Sequence, residues 1–230
     1  MNSTRNTILA RLGHTAANRW PEPEALPPLT YVSMDREQLT CALIKNLKEQ
    51  GAEVYQAGDL SELHLALSRV LSDSAMPRLC AGKGGVLDSL DLEALGRETH
   101  TAVFRTSDFT DRDQYKQTVF DVDAGLSSVD YAVAESGTLV IRHGKKNPRL
   151  LSLAPLTHLA IVTPDCIVPV YEDVIRDLAG TCGLPSQLTF ITGPSMTADI
   201  MATPFRGMHG PKRLVVFILS AWISRGSSQE

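Results

Sequence analysis

Leu214 to Leu219 are apolar at every position, and Leu159 to Val162 and Leu188 to Thr192 repeat the same kind of short run, too brief for a helix of its own. A strand with one face in water alternates apolar and polar residues. A strand apolar throughout is covered on both faces, the mark of a mostly parallel sheet wrapped by helices. The longest run, Leu214 to Ile223 broken at Ser220, falls far short of the roughly 20 residues that span a bilayer, so no membrane span is expected.

Helical stripes separate the runs. Asp35 precedes Leu39, Leu43, Ile44 and Leu47, a stripe that Gly51 can stop, and Val54-Tyr55 reads as a strand. Asp59 and Glu62 stand at capping-box spacing ahead of Leu60, Leu63, Leu67, Val70 and Leu71. Arg78 to Ala81 reads as a strand entering the Gly82-Lys83-Gly84-Gly85 turn, Leu87 to Leu95 as a helix and Thr101 to Arg105 as a strand. Tyr131 to Ala134 and Thr138 to Ile141 are strands, and Pro169 can open a helix carrying Val170, Val174, Ile175 and Leu178, ended by Gly180 and Gly183. The expected architecture is α/β, a mostly parallel central sheet with helices on both faces. Residues 1–30 form a short helix with a Pro-rich linker (Trp20-Pro21-Glu22-Pro23, Pro27-Pro28), residues 31–224 the α/β domain and residues 225–230 a tail.

Charge excludes one class of partner. With 22 Lys and Arg against 26 Asp and Glu, the formal charge is −4 and no basic stripe is present, which argues against nucleic acid. The first residues, MNSTRNTILARLGH, carry no secretory pattern, so a cytoplasmic protein is expected. Cys41, Cys80, Cys166 and Cys182 are far apart, with no C-x-x-C pair, and no H-x-x-x-H pair occurs among the histidines; neither a metal site nor a bound cofactor is expected. Gly82-Lys83-Gly84-Gly85 lacks the Walker ending, and Gly193-Pro194-Ser195-Met196-Thr197 is not a nucleophile elbow.

Three stretches carry candidate chemistry. In Ala134-Glu135-Ser136-Gly137-Thr138-Leu139-Val140, polar groups interrupt apolar strand sequence, a disruption that costs stability unless something uses it. Glu135 is a candidate base, nucleophile or orienting acceptor, and Ser136 and Thr138 are candidate ligand contacts; a hairpin or bulge whose polar groups satisfy one another is the competing reading. In Ile191 to Ile200 a strand runs into Gly193 and then Ser195, a good helix N-cap, so that backbone N–H groups and the Ser195 and Thr197 hydroxyls would cradle a carboxylate or phosphate while Asp199 holds a hydroxyl or water. In Gly207-Met208-His209-Gly210-Pro211-Lys212-Arg213, an accessible imidazole is followed by two positive charges. Glu135 and His209 are the candidate catalytic pair. Arg149, in Asn147-Pro148-Arg149, and Lys212 are the candidate sources of positive field, and the cleft is expected at the C-terminal ends of the strands.

The ordered set Asp130-Tyr131-Ala132-Val133-Ala134-Glu135-Ser136-Gly137-Thr138-Leu139-Val140, Asn147 to Leu153 with Pro155, Gly193 to Ile200 and His209-Gly210-Pro211 resembles the LUD domain of the lactate-utilization protein C family, over about residues 30–220. The resemblance implies a fold like that of the ribose-phosphate isomerase and CoA-transferase group. It also implies a cytosolic non-cluster subunit that works with iron–sulfur proteins in oxidising L-lactate to pyruvate. Met201-Ala202-Thr203-Pro204-Phe205-Arg206 departs from the family pattern. The chemistry of the residues leaves two other classes open: a stand-alone enzyme on a small acidic metabolite, acyl-CoA transferase-like or sugar-phosphate isomerase-like, and a non-catalytic assembly subunit.

Overall fold

In the computed structural model, which describes residues 3–15, 34–144, 147–180, 185, 187–198 and 204–221, the apolar runs become the middle of a six-stranded sheet. The chain divides into two units, Met1–Ser33 and Met34–Glu230. The first contains one described helix, α1 (Ser3–Thr15). The Pro-rich stretch and the C-terminal tail lie outside the described residues.

In the second unit the strands β1 (Glu53–Ala57), β2 (Arg78–Ala81), β3 (Ala102–Arg105), β4 (Ala124–Ser128), β7 (Thr157–Val162) and β12 (Arg213–Leu219) stand in the order β1-β12-β7-β4-β2-β3. Every neighbouring pair is parallel. A second sheet takes β5 (Tyr131–Val133) and β6 (Thr138–Arg142) from between β4 and β7, and β8 (Ile167–Val168) and β9 (Leu188–Ile191) from between β7 and β12, ordered β8-β5-β6-β9. Its β5–β6 and β6–β9 pairs are antiparallel.

Side-chain alternation along β7 and β12 sorts the core into two faces. Leu159, Ile161, Val215, Phe217 and Leu219 pack with Leu63, Leu67, Val70 and Leu71 of α3 (Leu60–Asp73) and with Leu92 and Leu95 of α4 (Leu92–Thr99). Ala160, Val162, Leu214, Val216 and Ile218 face Leu43 and Leu47 of α2 (Arg36–Glu49) and the inner side of the second sheet. Tyr115 and Val119 of α5 (Arg112–Asp121) cover Cys80 of β2 beside Leu151. Helices therefore stand on both faces, and Val174 and Leu178 of α6 (Tyr171–Gly180) cover the outside of the second sheet.

Local chemistry explains the boundaries. Asp35 accepts from the N–H of Gln38 while Gln38 Oε1 accepts from the N–H of Asp35, a complete capping box, and Gly51 (φ 85°) follows the helix in the left-handed region. Asp59 caps α3, but Glu62 reaches back one residue farther than a capping box requires, to the N–H of Gly58 at 2.6 Å. The expected helix over 87–95 is two pieces, a 3₁₀ turn (Gly85–Ser89) and then α4 capped by Asp91. Pro169 lies two residues outside α6, whose first N–H groups need another acceptor; β9, expected to be covered on both faces, leaves Phe190 exposed.

Candidate functional site

Gly137 and Gly193, one in each of the first two candidate stretches, bring their backbone against helix α2 and its C-cap. A Cβ on Gly137 (φ 67°) would lie 2.6 Å from the Asn46 carbonyl carbon and Leu47 nitrogen, and one on Gly193 (φ 91°) 2.4 Å from the Gln50 carbonyl oxygen. Asn46 Nδ2 also donates to the Ala134 carbonyl at 2.7 Å. Two stretches far apart in sequence are thus seated on one helix, each through a glycine that no L side chain could replace without strain.

Around Gly137 the polar groups satisfy one another. Glu135 Oε1 accepts from the N–H of Tyr171 at 3.2 Å, supplying the acceptor at the start of α6. Ser136 Oγ donates to Thr138 Oγ1 (2.9 Å), which in turn bonds the Tyr171 hydroxyl (2.6 Å) and Thr192 Oγ1 (2.7 Å). Thr138 is fully buried at the centre of this chain of hydroxyls.

The second and third stretches meet directly. The Ser195 N–H donates to the Pro211 carbonyl (2.9 Å), the Ser195 carbonyl accepts from Gly207 (2.9 Å), and a Cβ on Gly210 would lie 3.3 Å from that of Ser195. Ser195 starts no helix. Met196–Ala198 is a strand, β10, paired antiparallel with β11 (Pro204–Arg206), so the segment that departs from the family pattern contributes one side of a two-stranded ribbon. The expected anion cradle at a helix N-terminus is therefore replaced: that helix is absent, and the Ser195 N–H is already spent.

Gly193, Ser195 and His209 nevertheless line one cavity of about 170 Å³, together with Ser152, His158, Thr189 to Thr192, Gly210, Pro211 and Leu214. Its position corrects the expected one. His158 and Leu214 are near the starts of β7 and β12, so the cavity opens at the amino ends of the central strands, beneath the end of β9. The second sheet is the cause, since it packs over this part of the central sheet and provides a roof.

Two buried histidines stand here, and one of them, His158, lines the cavity. His158 is 1% exposed, with Nε2 2.8 Å from Ser127 Oγ on β4, and its Nδ1 has no hydrogen-bond partner among the described residues. Burial, followed by the nearby His143 ring, pushes the His158 pKa down to about 4, so the ring is neutral at physiological pH. His143 Nδ1 meets the Asn147 carbonyl at 3.2 Å and must donate there, so in the neutral ring Nε2 accepts from the Thr189 hydroxyl at 2.7 Å; burial lowers its pKa as well. Among the described residues, neither lysine, arginine nor carboxylate lines the cavity.

The remaining candidates are dispersed. Arg149 is exposed and donates to Gln187 Oε1 at 2.8 Å, outside the cavity lining. Lys212 is exposed, with its stem over Gly207, and Thr197 lies opposite Phe205 in the ribbon. Arg213, the second positive charge of the third stretch, grips Glu53 of β1 through two 2.6 Å bonds, which hold the Glu53 carboxyl below its usual range and are not free for a substrate. Asp199 and Cys182 lie outside the described residues, and among the described residues no three His, Cys, Asp or Glu side chains come together as metal ligands. Sequence reasoning passed over His158, Ser127 and His143. The available signal was a histidine at the head of a strand apolar throughout, where any polar group must be desolvated.

The chain is similar to proteins of known family. Lactate utilization protein C of Halalkalibacterium halodurans is 27% identical over 224 residues, covering 93% of this chain and 95% of that protein. Lactate utilization protein C of Deinococcus radiodurans is 26% identical over 202 residues, covering 86% of this chain and 87% of that one. A crystal structure of a DUF162 family protein from Deinococcus radiodurans shares the fold, with a TM-score of 0.60 at 22% identity over 82% of this chain and all of that one. Residues 42–219 match the LUD domain, which takes in both sheets of the second unit and the cavity between them, and this chain belongs to the LUD domain family.

Proposed function

We propose that this chain serves lactate utilization as a non-cluster component, working with iron–sulfur proteins in the oxidation of L-lactate to pyruvate. The observation that carries the reading is the near end-to-end similarity to proteins named lactate utilization protein C, 93% of this chain against 95% of one of them. In this reading electron transfer belongs to the iron–sulfur partners, and this chain contributes the cavity beneath β9. Its volume suits a molecule of that size, since a cavity of about 150 Å³ admits benzene, and lactate has as many heavy atoms as benzene. No described helix is long and apolar enough to cross a membrane.

Deleting the coding sequence should abolish growth on L-lactate, with growth on pyruvate intact, and the tagged chain at native level should co-purify with iron–sulfur proteins. Normal growth of the deletion strain on L-lactate would overturn the role. Co-purification without any loss of lactate-dependent pyruvate formation would favour an assembly function outside this pathway.

A further inference from the structure

We propose that the cavity at the amino ends of β7 and β12 binds a small ligand through a neutral oxygen, hydroxyl or carbonyl, set against His158 Nδ1, with any charged group left at the mouth beside His209. This deepens the lactate reading and rests on it only for the choice of two of the probes.

Three observations carry the proposal. First, His158 lines the cavity, and its Nδ1 is buried with no hydrogen-bond partner among the described residues, although a buried polar atom left unpaired is costly and normally finds one. Second, among the described residues no lysine, arginine or carboxylate lines the cavity, and Leu153, Ile191 and Leu214 supply apolar wall. A carboxylate driven to the deep end would lose its water without meeting a compensating charge. Third, the partner behind His158 is a hydroxyl, which can donate or accept. When Ser127 donates to Nε2, Nδ1 carries the proton and suits a carbonyl; when Ser127 accepts from Nε2, Nδ1 presents a lone pair and suits a hydroxyl. A carboxylate behind the ring would fix one tautomer. The serine lets the same site hold an alcohol and the ketone derived from it, with no proton or electron exchanged with the protein. The ring stays neutral throughout, because burial holds its pKa near 4.

The test uses the full chain with ¹⁵N-labelled histidine, reading the ring nitrogens by long-range correlation spectra at neutral pH, with the His158 signals assigned by their loss in His158→Leu. The probes are L-lactate, pyruvate, 1,2-propanediol, acetate and inorganic phosphate, titrated into the roughly millimolar range expected of ligands with so few atoms. L-lactate, pyruvate and 1,2-propanediol should each move the His158 Nδ1 resonance saturably, the hydroxyl and carbonyl probes in opposite directions as the tautomer changes. Acetate and phosphate should leave it in place. His158→Leu combined with Ser127→Ala, which removes both members of the polar pair, should weaken lactate binding about tenfold by calorimetry, the loss expected for one buried hydrogen bond. If that variant fails to fold, Gly210→Ala, which narrows the cavity from its wall near Ser195, should weaken the same titrations. Equal responses to acetate and phosphate would make this an anion site and overturn the proposal. No movement of His158 with any probe would overturn it as well. The diol response separates this inference from the lactate reading: a cavity that takes the diol in a chain dispensable for lactate growth leaves the site standing and removes the pathway, and the converse result does the reverse.

Discussion

Two buried polar clusters flank β9, and they differ in one atom. On the outer side of the second sheet, Ser136, Thr138, Tyr171 and Thr192 form a closed chain in which every hydroxyl has a partner. On the inner side, His143 and Thr189 are likewise paired, but the neighbouring His158, which lines the cavity, meets Ser127 on one nitrogen and has no partner among the described residues on the other. Sequence chemistry drew attention to the first cluster because its polar residues interrupt a strand. The closed cluster is how a fold accommodates polar groups; the open one is where a ligand can complete a hydrogen-bond set.

The largest expected effect breaks the closed side. Gly137→Ala should cost about 2–5 kcal/mol, combining left-handed strain with a collision against the backbone of α2. Urea unfolding would measure it, and a loss under 1 kcal/mol would mean that α2 is not held as described. Acid should act on the open side. A depressed histidine pKa means that the unfolded chain takes up protons first, so stability is complete above about pH 6.5 and falls as pH drops toward about 4, by on the order of 3 kcal/mol for His158. His143, also lowered, adds in the same direction. His158→Leu with Ser127→Ala should flatten that slope, whereas Thr138→Val should leave it unchanged; denaturation at a series of pH values distinguishes them. Thr138→Val itself should cost about 1–2 kcal/mol, since the hub of the hydroxyl chain is removed while its partners keep access to one another or to water.

The smallest effect concerns Ser195. A helix cap would cost about 0.5–2 kcal/mol on Ser195→Ala. Since Ser195 precedes a strand and holds its place through backbone groups, the loss should stay within about 0.5 kcal/mol, while ligand affinity at the cavity falls. Thermal unfolding and calorimetry on the one variant check both halves.

How far the residues announced this arrangement depended on contrast along the chain. β7 and β12 were legible because each is apolar at consecutive positions, and α3 because its stripe is broad and capped. β4 escaped notice. Its Ala124-Gly125-Leu126-Ser127-Ser128 has little strand character, because Gly125 must admit the Leu151 carbonyl, which a Cβ would meet at 2.0 Å. α5 buries only Tyr115 and Val119 and so shows no stripe. Ser195 imitated a helix cap, but Met196–Ala198 is held by pairing across the ribbon, a partnership local spacing does not display. Of the candidate residues, Gly193, Ser195 and His209 reach the cavity because their two loops are hydrogen-bonded together; Glu135 is engaged at α6, and Arg149 with Gln187.

Helix α2 has a consequence for where this domain begins. The LUD match opens at residue 42, six residues inside a helix that starts at Arg36. A fragment cut at the edge of the match would lose Asp35, the capping box and Leu39. What would remain of the helix is Ala42 to Glu49, barely two turns, and isolated helices that short are marginal in water. Yet this remnant carries Asn46 and Leu47 and leads into Gln50, the backbone on which Gly137 and Gly193 rest. The stretches that carry the family resemblance are thus anchored on a helix whose capped first turn lies outside the match, and the foldable unit is longer than the recognisable one.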